Sequence, residues 1–318
     1  MRKGYIFAAA VLLVSACVNN RQIPQAPEEG DFEIMAHRGV HTNWEKGTYD
    51  RIDGCEAVHI YKPATAYIEN TLESIQAAFD YGATIVEIDI RRTADNHLVI
   101  FHDSLLTCRT DGTGRVEERD LAYLKTLDIG YGYTADNGET FPFRGKGKAK
   151  MPTLNEVLET FPERKFLIDQ KDGSVETAEL LVEIVKNLPE EQQERLYYWG
   201  ADTPYAYVRD HTPLRRFLFT YPQAKEWIIK DTLLLGIPSF SEEWSGQVMG
   251  LPPKYRMIIR GWPRRALKRN HARGVRLFLQ IDSEKDAERF SQSPMDGIIT
   301  DYIEIVGPYF SDRLSRRE

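Results

Sequence analysis

"TIVEIDI", residues 84–90, is dominated by apolar residues. Ile85, Val86, Ile88 and Ile90 put apolar side chains on both faces of one short run, the pattern of a strand covered on both sides, as in a parallel sheet under helices. Two carboxylates, Glu87 and Asp89, are set into it. Residues i and i+2 of a strand share a face, so both acids point the same way. Acids buried without partners cost several kcal/mol or neutralise themselves, so this strand needs a cation beside it.

Similar runs recur outward from it: "EIMA" (33–36), "HLVIF" (97–101), "KFLID" (165–169), "LYYW" (196–199), "RFLFT" (216–220), "YRMII" (255–259), "VRLFLQI" (275–281) and "GIIT" (297–300). Helix-like stretches lie between them, among them "TLESIQAAFDYG" (71–82), "TLNEVLETF" (153–161) and "ETAELLVEIVKNL" (176–188), with Thr71 and Thr153 as N-caps. Strand and helix alternating over about 280 residues predict an α/β chain folded as a (β/α)8 TIM barrel. Nine strand candidates for eight places mean that one is not a barrel strand. Two stretches break the rhythm. Residues 40–68 form a long loop after the first strand, carrying Trp44, Tyr49, Tyr61 and Tyr67, and read as surface decoration or a lid. Residues 104–151, rich in Gly, Thr and Lys, read as a small irregular insertion after the third strand. Their Gly145-Lys146-Gly147-Lys148 lacks the spacing of a phosphate-binding P-loop.

The start of the chain reads as a signal peptide over 1–16: Arg2 and Lys3, an apolar run, then small residues before Cys17. "VSAC" (14–17) resembles the lipobox of bacterial lipoproteins. That resemblance implies a lipidated Cys17, a polar membrane tether over 17–31 and a barrel domain over 32–318. Val18 after the cysteine points to the periplasm-facing outer membrane. A net charge of −7 and pI near 5.6 exclude nucleic acid as a partner. After export, Cys55 and Cys108 are either a disulfide or two packed thiols.

Four strand ends carry chemistry: His37-Arg38, Glu87 with Asp89, His102-Asp103, and Asp169 with Lys171. In a barrel these ends converge with the loops at one mouth. Glu87, Asp89 and Asp169 offer only oxygen and select one hard divalent cation, Ca2+ or Mg2+. His37 and His102 form an acid/base pair, with either order open. Arg38 and Lys171 supply fixed positive charge for a phosphate. His41, His59, His97, His211 and His271 are surface or packing residues.

"AHRG" (36–39), "ENT" (69–71), "VEIDIRRTADNHLVIFHD" (86–103) and "LIDQK" (167–171) together resemble the glycerophosphodiester phosphodiesterase family, and the pattern runs on to "DGIITDY" (296–302). The resemblance implies a metal-dependent TIM-barrel enzyme that hydrolyses small glycerophosphodiesters to glycerol 3-phosphate and an alcohol. It implies His37 and His102 as acid and base, Glu87, Asp89 and Asp169 on the metal, and Arg38 and Lys171 on the phosphate. Glu69 and Asn70 become an extra ligand or supporting groups, and Gly39 turns the backbone beside the phosphate. Asp169 stands where the family usually has Glu, and Phe278-Leu279-Gln280-Ile281 where it usually has Trp-Thr-Val-Asn. Lysophospholipids or another phosphodiester therefore stay open as substrates, and a phosphodiester-binding lipoprotein without chemistry is the third reading.

Overall fold

The two-faced burial read in residues 84–90 arises because this strand is one stave of a closed barrel. The computed structural model describes residues 32–44, 55–233, 246–252, 259 and 261–314. The expected signal peptide, Cys17, the tether, residues 45–54 of the long loop and most of the expected strand 255–259 lie outside the described residues. The strands are β1 (Glu33–His37), β2 (Ile85–Arg92), β3 (Leu98–Ile100), β4 (Lys165–Gln170), β5 (Leu196–Trp199), β6 (Arg216–Leu218), β7 (Gln247–Leu251), β8 (Arg276–Gln280) and β9 (Gly297–Thr300). All but β3 pair in parallel, and β1 pairs with both β2 and β9, which closes an eight-stranded ring.

Two strand expectations change. "HLVIF" is not a barrel strand: β3 runs antiparallel to β2, with Ile90 opposite Ile100. The connection from Arg92 to Leu98 holds a turn with Asn96 at φ 61°, too short for the crossover that parallel pairing requires. The stave that completes the ring is "QVMGL" (247–251), which the strand reading passed over because Gln247 and Gly250 dilute its apolar pattern.

The helices are α1 (Leu72–Asp80), α2 (Leu121–Leu124), α3 (Leu154–Thr160), α4 (Val175–Asn187), α5 (Glu190–Gln193), α6 (Asp202–His211), α7 (Tyr221–Leu233), α8 (Arg264–His271), α9 (Glu284–Phe290), α10 (Ile303–Val306) and α11 (Ser311–Leu314). Both expected N-caps form. The Thr71 hydroxyl accepts the Ser74 N–H at 3.2 Å, and Thr153 makes a reciprocal cap with Glu156. The longer helices bury one stripe, as α4 does with Ala178, Leu181, Val182 and Val185.

Alternation inside the ring stacks side chains in layers. Glu33 lies at the bottom, almost fully buried, bonded to Lys165, Arg276 and the Tyr197 hydroxyl, the last at 2.8 Å. Met35, Ile85, Leu167, Leu218, Val248 and Phe278 fill the middle. Two residues further on, the same strands deliver His37, Glu87, Asp169 and Gln280, so an apolar floor underlies a polar mouth. Outside the ring, the two interrupting stretches share one core: Trp44, Ala57 and Ile60 of the first pack with Leu106, Val116, Leu127 and Phe143 of the second.

Removing one partner from a buried ion cluster leaves the others uncompensated. Glu33→Gln is expected to lower the unfolding free energy by about 3–5 kcal/mol in urea titrations, since Lys165 and Arg276 lose their shared counter-charge.

Candidate active site

The mouth is built by the strand ends and by Arg38, whose backbone sits in the left-handed region at φ 55°. That conformation is costly for a side-chain-bearing residue and persists only when neighbours hold it. Here the Arg38 N–H donates to Glu87 Oε2 at 3.0 Å, and its carbonyl accepts from Asn70 N at 3.1 Å and Ser74 Oγ at 3.1 Å. Gly39 follows at φ 77°, where a Cβ would lie 2.2 Å from Ser74 Oγ. The glycine is therefore required by close packing on α1.

Glu87, Asp89 and Asp169 converge: one oxygen of each lies within 4.8 Å of the others, all three residues buried. Lys171 reaches Asp89 at 3.0 Å and Asp169 at 2.9 Å. Asn70 donates to Asp89 Oδ2 at 2.7 Å. One cation thus serves two of the three acids, and the buried Glu87 Oε1 has no hydrogen-bond partner. Burial and the neighbouring Asp89 raise Glu87 to about 8. Burial alone would raise Asp89 too, yet Lys171 and Arg38 hold it well below the usual carboxylate range.

The two histidines flank this group, close enough that both act on Asp89. His37 Nδ1 lies 2.7 Å from Asp301 and its Nε2 3.9 Å from Glu87. Because ionised Asp301 can only accept, Nδ1 carries the proton and Nε2 faces the mouth. His102 repeats the arrangement, with Nδ1 2.6 Å from Asp103. Their surroundings differ. Burial would lower His37, but Glu87 and Asp301 outweigh it and hold the ring up to about 9. Burial lowers His102 to about 4, with Arg38 pushing the same way.

Arg38 is almost fully buried. Its Nη1 donates to Glu56 at 2.8 Å and Glu69 at 3.1 Å, its Nε lies 3.3 Å from Asp89, and Trp44 covers it at 5.1 Å. Glu69 belongs to this arginine network rather than to the three converging acids. Burial would raise it, but Arg109 and Arg38 bring it to about 2. Arg109 ties the network together, bonding Glu69 at 2.9 Å, Asp103 at 2.9 Å, Glu56 at 2.6 Å and the Tyr133 hydroxyl at 2.8 Å.

Sequence reading missed Asp301, Arg109, Glu56 and Tyr133. Asp301 had a signal, its place just beyond the last strand. The others sit in the irregular stretches, where no periodicity marks them. Of the two places open to His41, surface or packing, the structure shows packing: it is buried and stacked on Trp44 at 5.9 Å.

Seven carboxyl groups (Glu56, Glu69, Glu87, Asp89, Asp103, Asp169, Asp301) here face three permanent cations (Arg38, Arg109, Lys171), and acids outnumber cations even with Glu87 protonated and His37 charged. An anionic phosphodiester is repelled by such a surplus. The unpaired Glu87 oxygen, the three converging acids and the all-oxygen donor set fit a hard divalent cation that relieves it. Glu56, His102 and Asp103 form a second cluster of possible ligands, but the Arg109 guanidinium already bridges its two acids. Beside the acids opens a cavity of about 570 Å³ whose lining includes the apolar Trp199, Leu218, Phe219, Met249 and Pro252.

Comparison with known proteins bears on this geometry. Residues 37–305 match the model of the glycerophosphoryl diester phosphodiesterase family. A glycerophosphodiester phosphodiesterase of Caldanaerobacter subterraneus subsp. tengcongensis is 30% identical over 241 residues, 73% of this chain and 88% of its own. Among solved structures, a glycerophosphodiester phosphodiesterase of Agrobacterium tumefaciens superposes with a TM-score of 0.60 at 18% identity, over 88% of this chain and 99% of its own. An Oleispira antarctica phosphodiesterase, solved in complex with the product sn-glycerol-3-phosphate, superposes at 0.57 with 20% identity, over 88% and 96%.

Calorimetric titration with Mg2+ or Ca2+ is expected to find one divalent site, weakened about tenfold or more by Asp89→Asn. Unchanged affinity in that variant would move the ion away from the three acids.

Proposed function

The chain belongs to the glycerophosphoryl diester phosphodiesterase family and is a phosphodiesterase of small-molecule substrates; from that premise we propose that it hydrolyses glycerophosphodiesters to glycerol 3-phosphate and an alcohol. One observation carries this reading: two His–Asp pairs flank three converging acids at the mouth of the barrel. The glycerol 3-phosphate of the Oleispira complex supports the same product here.

Glu87, Asp89 and Asp169 would hold one divalent cation, Ca2+ or Mg2+. When bound, the cation supplies Lewis-acid charge at a phosphoryl oxygen. Arg38 and Lys171 add fixed positive charge for the phosphate and its developing negative charge. His102 is the base. Burial and Arg38 keep its ring neutral at pH 7, and a cation among the acids pushes in the same direction. It takes the proton of the attacking hydroxyl as the new P–O bond forms: water gives glycerol 3-phosphate directly, whereas a vicinal glycerol hydroxyl gives a cyclic phosphate that a water molecule then opens, breaking the ring P–O bond and returning a proton to the freed glycerol hydroxyl. His37 is the acid, its Nδ1 oriented by Asp301, and gives its Nε2 proton to the departing alcohol oxygen as the old P–O bond breaks. Asn70 orients Asp89, and Glu69 holds the two arginines.

The apolar part of the cavity lining favours a second reading for the alcohol side, in which the substrate is a lysophospholipid whose acyl chain lies along Leu218, Phe219 and Met249. The proposal also includes export: a signal peptide over 1–16, lipidation at Cys17 and a periplasm-facing membrane anchor. The Cys55–Cys108 disulfide supports an oxidising compartment.

Glycerol 3-phosphate release from glycerophosphocholine and glycerophosphoethanolamine, abolished by chelation, tests the first reading. Cleavage restricted to acylated substrates supports the second. Tight binding without turnover contradicts both. His37→Ala and His102→Ala are each expected to lower turnover about a hundredfold or more while calorimetry still finds the bound cation. Near-normal turnover in both removes them from the mechanism.

A further inference from the structure

Glu56 belongs to none of the motifs that mark the mouth. It lies in the stretch 40–68, in a short 3-10 turn (Glu56–His59), yet it is buried and its Oε2 accepts from Arg38 Nη1 at 2.8 Å and from Arg109 Nη2 at 2.6 Å. Its placement has a covalent cause. Cys55, the residue before it, is bonded to Cys108, the residue before Arg109, across 53 positions of sequence. The disulfide therefore joins the segment that carries the carboxylate to the segment that carries the guanidinium, one residue from their contact.

We propose that Glu56, carried into the mouth by the Cys55–Cys108 disulfide, is a positioning residue for Arg38. This rests on the reading of the site as one that binds a phosphodiester. Two guanidiniums this close repel each other, and Glu56 offsets that repulsion by accepting from both. Glu56 and Glu69 together take Nη1 of Arg38, Asp89 lies beside Nε, and Trp44 closes one face. Nη2 makes no hydrogen bond among the described residues, and Arg38 lines the cavity. The carboxylates thus fix the plane of the guanidinium and leave one terminal nitrogen, Nη2, to donate to the phosphate, held in place before substrate arrives. Trp44 and Ile60 bridge the two described arms of the same stretch, so the segment bearing Glu56 is braced on both sides.

The test compares wild type with Glu56→Gln, Glu56→Asp and the Cys55→Ser/Cys108→Ser double variant. Steady-state kinetics on glycerophosphoethanolamine, equilibrium binding of glycerol 3-phosphate and thermal unfolding are measured for each. Glu56→Gln is expected to lower kcat/KM about ten- to a hundredfold, mostly through KM, with a matching loss of glycerol 3-phosphate affinity. Glu56→Asp restores part of both. The double variant falls to the level of Glu56→Gln and ignores reductant, whereas reductant lowers the wild type. Glu56→Gln within twofold of wild type, or losing activity only as its folded fraction falls, overturns the role given to Glu56. A double variant as active as wild type overturns the role given to the disulfide. If wild type binds glycerol 3-phosphate without turning substrate over, the phosphodiesterase reading of this chain fails, while the binding arm still decides the positioning role. No binding by wild type overturns both.

Discussion

Buried carboxyl groups crowd together at the mouth of the barrel, and the surrounding residues are arranged to hold them there. Alternation along β2 turns Glu87 and Asp89 inward together, and the parallel register with β4 sets Asp169 beside Asp89. Buried carboxylates at this separation cannot all be ionised without cations among them. The fold answers with Lys171 inside the triad and with Arg38 and Arg109 beside it, and leaves the buried Glu87 Oε1 unsatisfied. That remaining deficit suits the mouth to a hard cation, and a cation held there would make an acidic mouth fit for an anionic substrate.

The apolar layer beneath this mouth keeps the effect strong. Met35, Ile85, Leu167 and Phe278 exclude water from below, so charge interactions above them are weakly screened. The histidines stand at the edge of that region, each braced by its own aspartate. Burial lowers both rings; at His102 Arg38 adds to it, whereas at His37 Glu87 and Asp301 outweigh it, so the two are displaced in opposite directions.

The barrel was legible in the sequence because two-faced apolar runs alternate with helical stretches, and the paired acids because residues i and i+2 of a strand share a face; so were the caps at Thr71 and Thr153. The position of β7 was not, since Gln247 and Gly250 break the apolar run, and β3 was misplaced because local pattern does not reveal which way a strand runs. Its His102 still reaches the mouth, since β3 returns alongside β2 and the chain leaves it just before that residue. Glu56 and Arg109 were hidden for a different reason. Each lies in irregular chain, and only the tertiary pairing of residues 55 and 108 brings them together. The two interrupting stretches, separate in sequence, share a core and a disulfide, and the first of them lines the site with Trp44 and Glu56.

Glu87, Asp89 and Asp169 are proposed to gather one divalent cation at the barrel mouth. Crystals soaked in Mn2+ and measured at an energy where manganese scatters anomalously test it most directly. The account predicts a single strong anomalous peak within bonding reach of all three carboxylates. No peak there, or a peak among Glu56, His102 and Asp103 in its place, would contradict it.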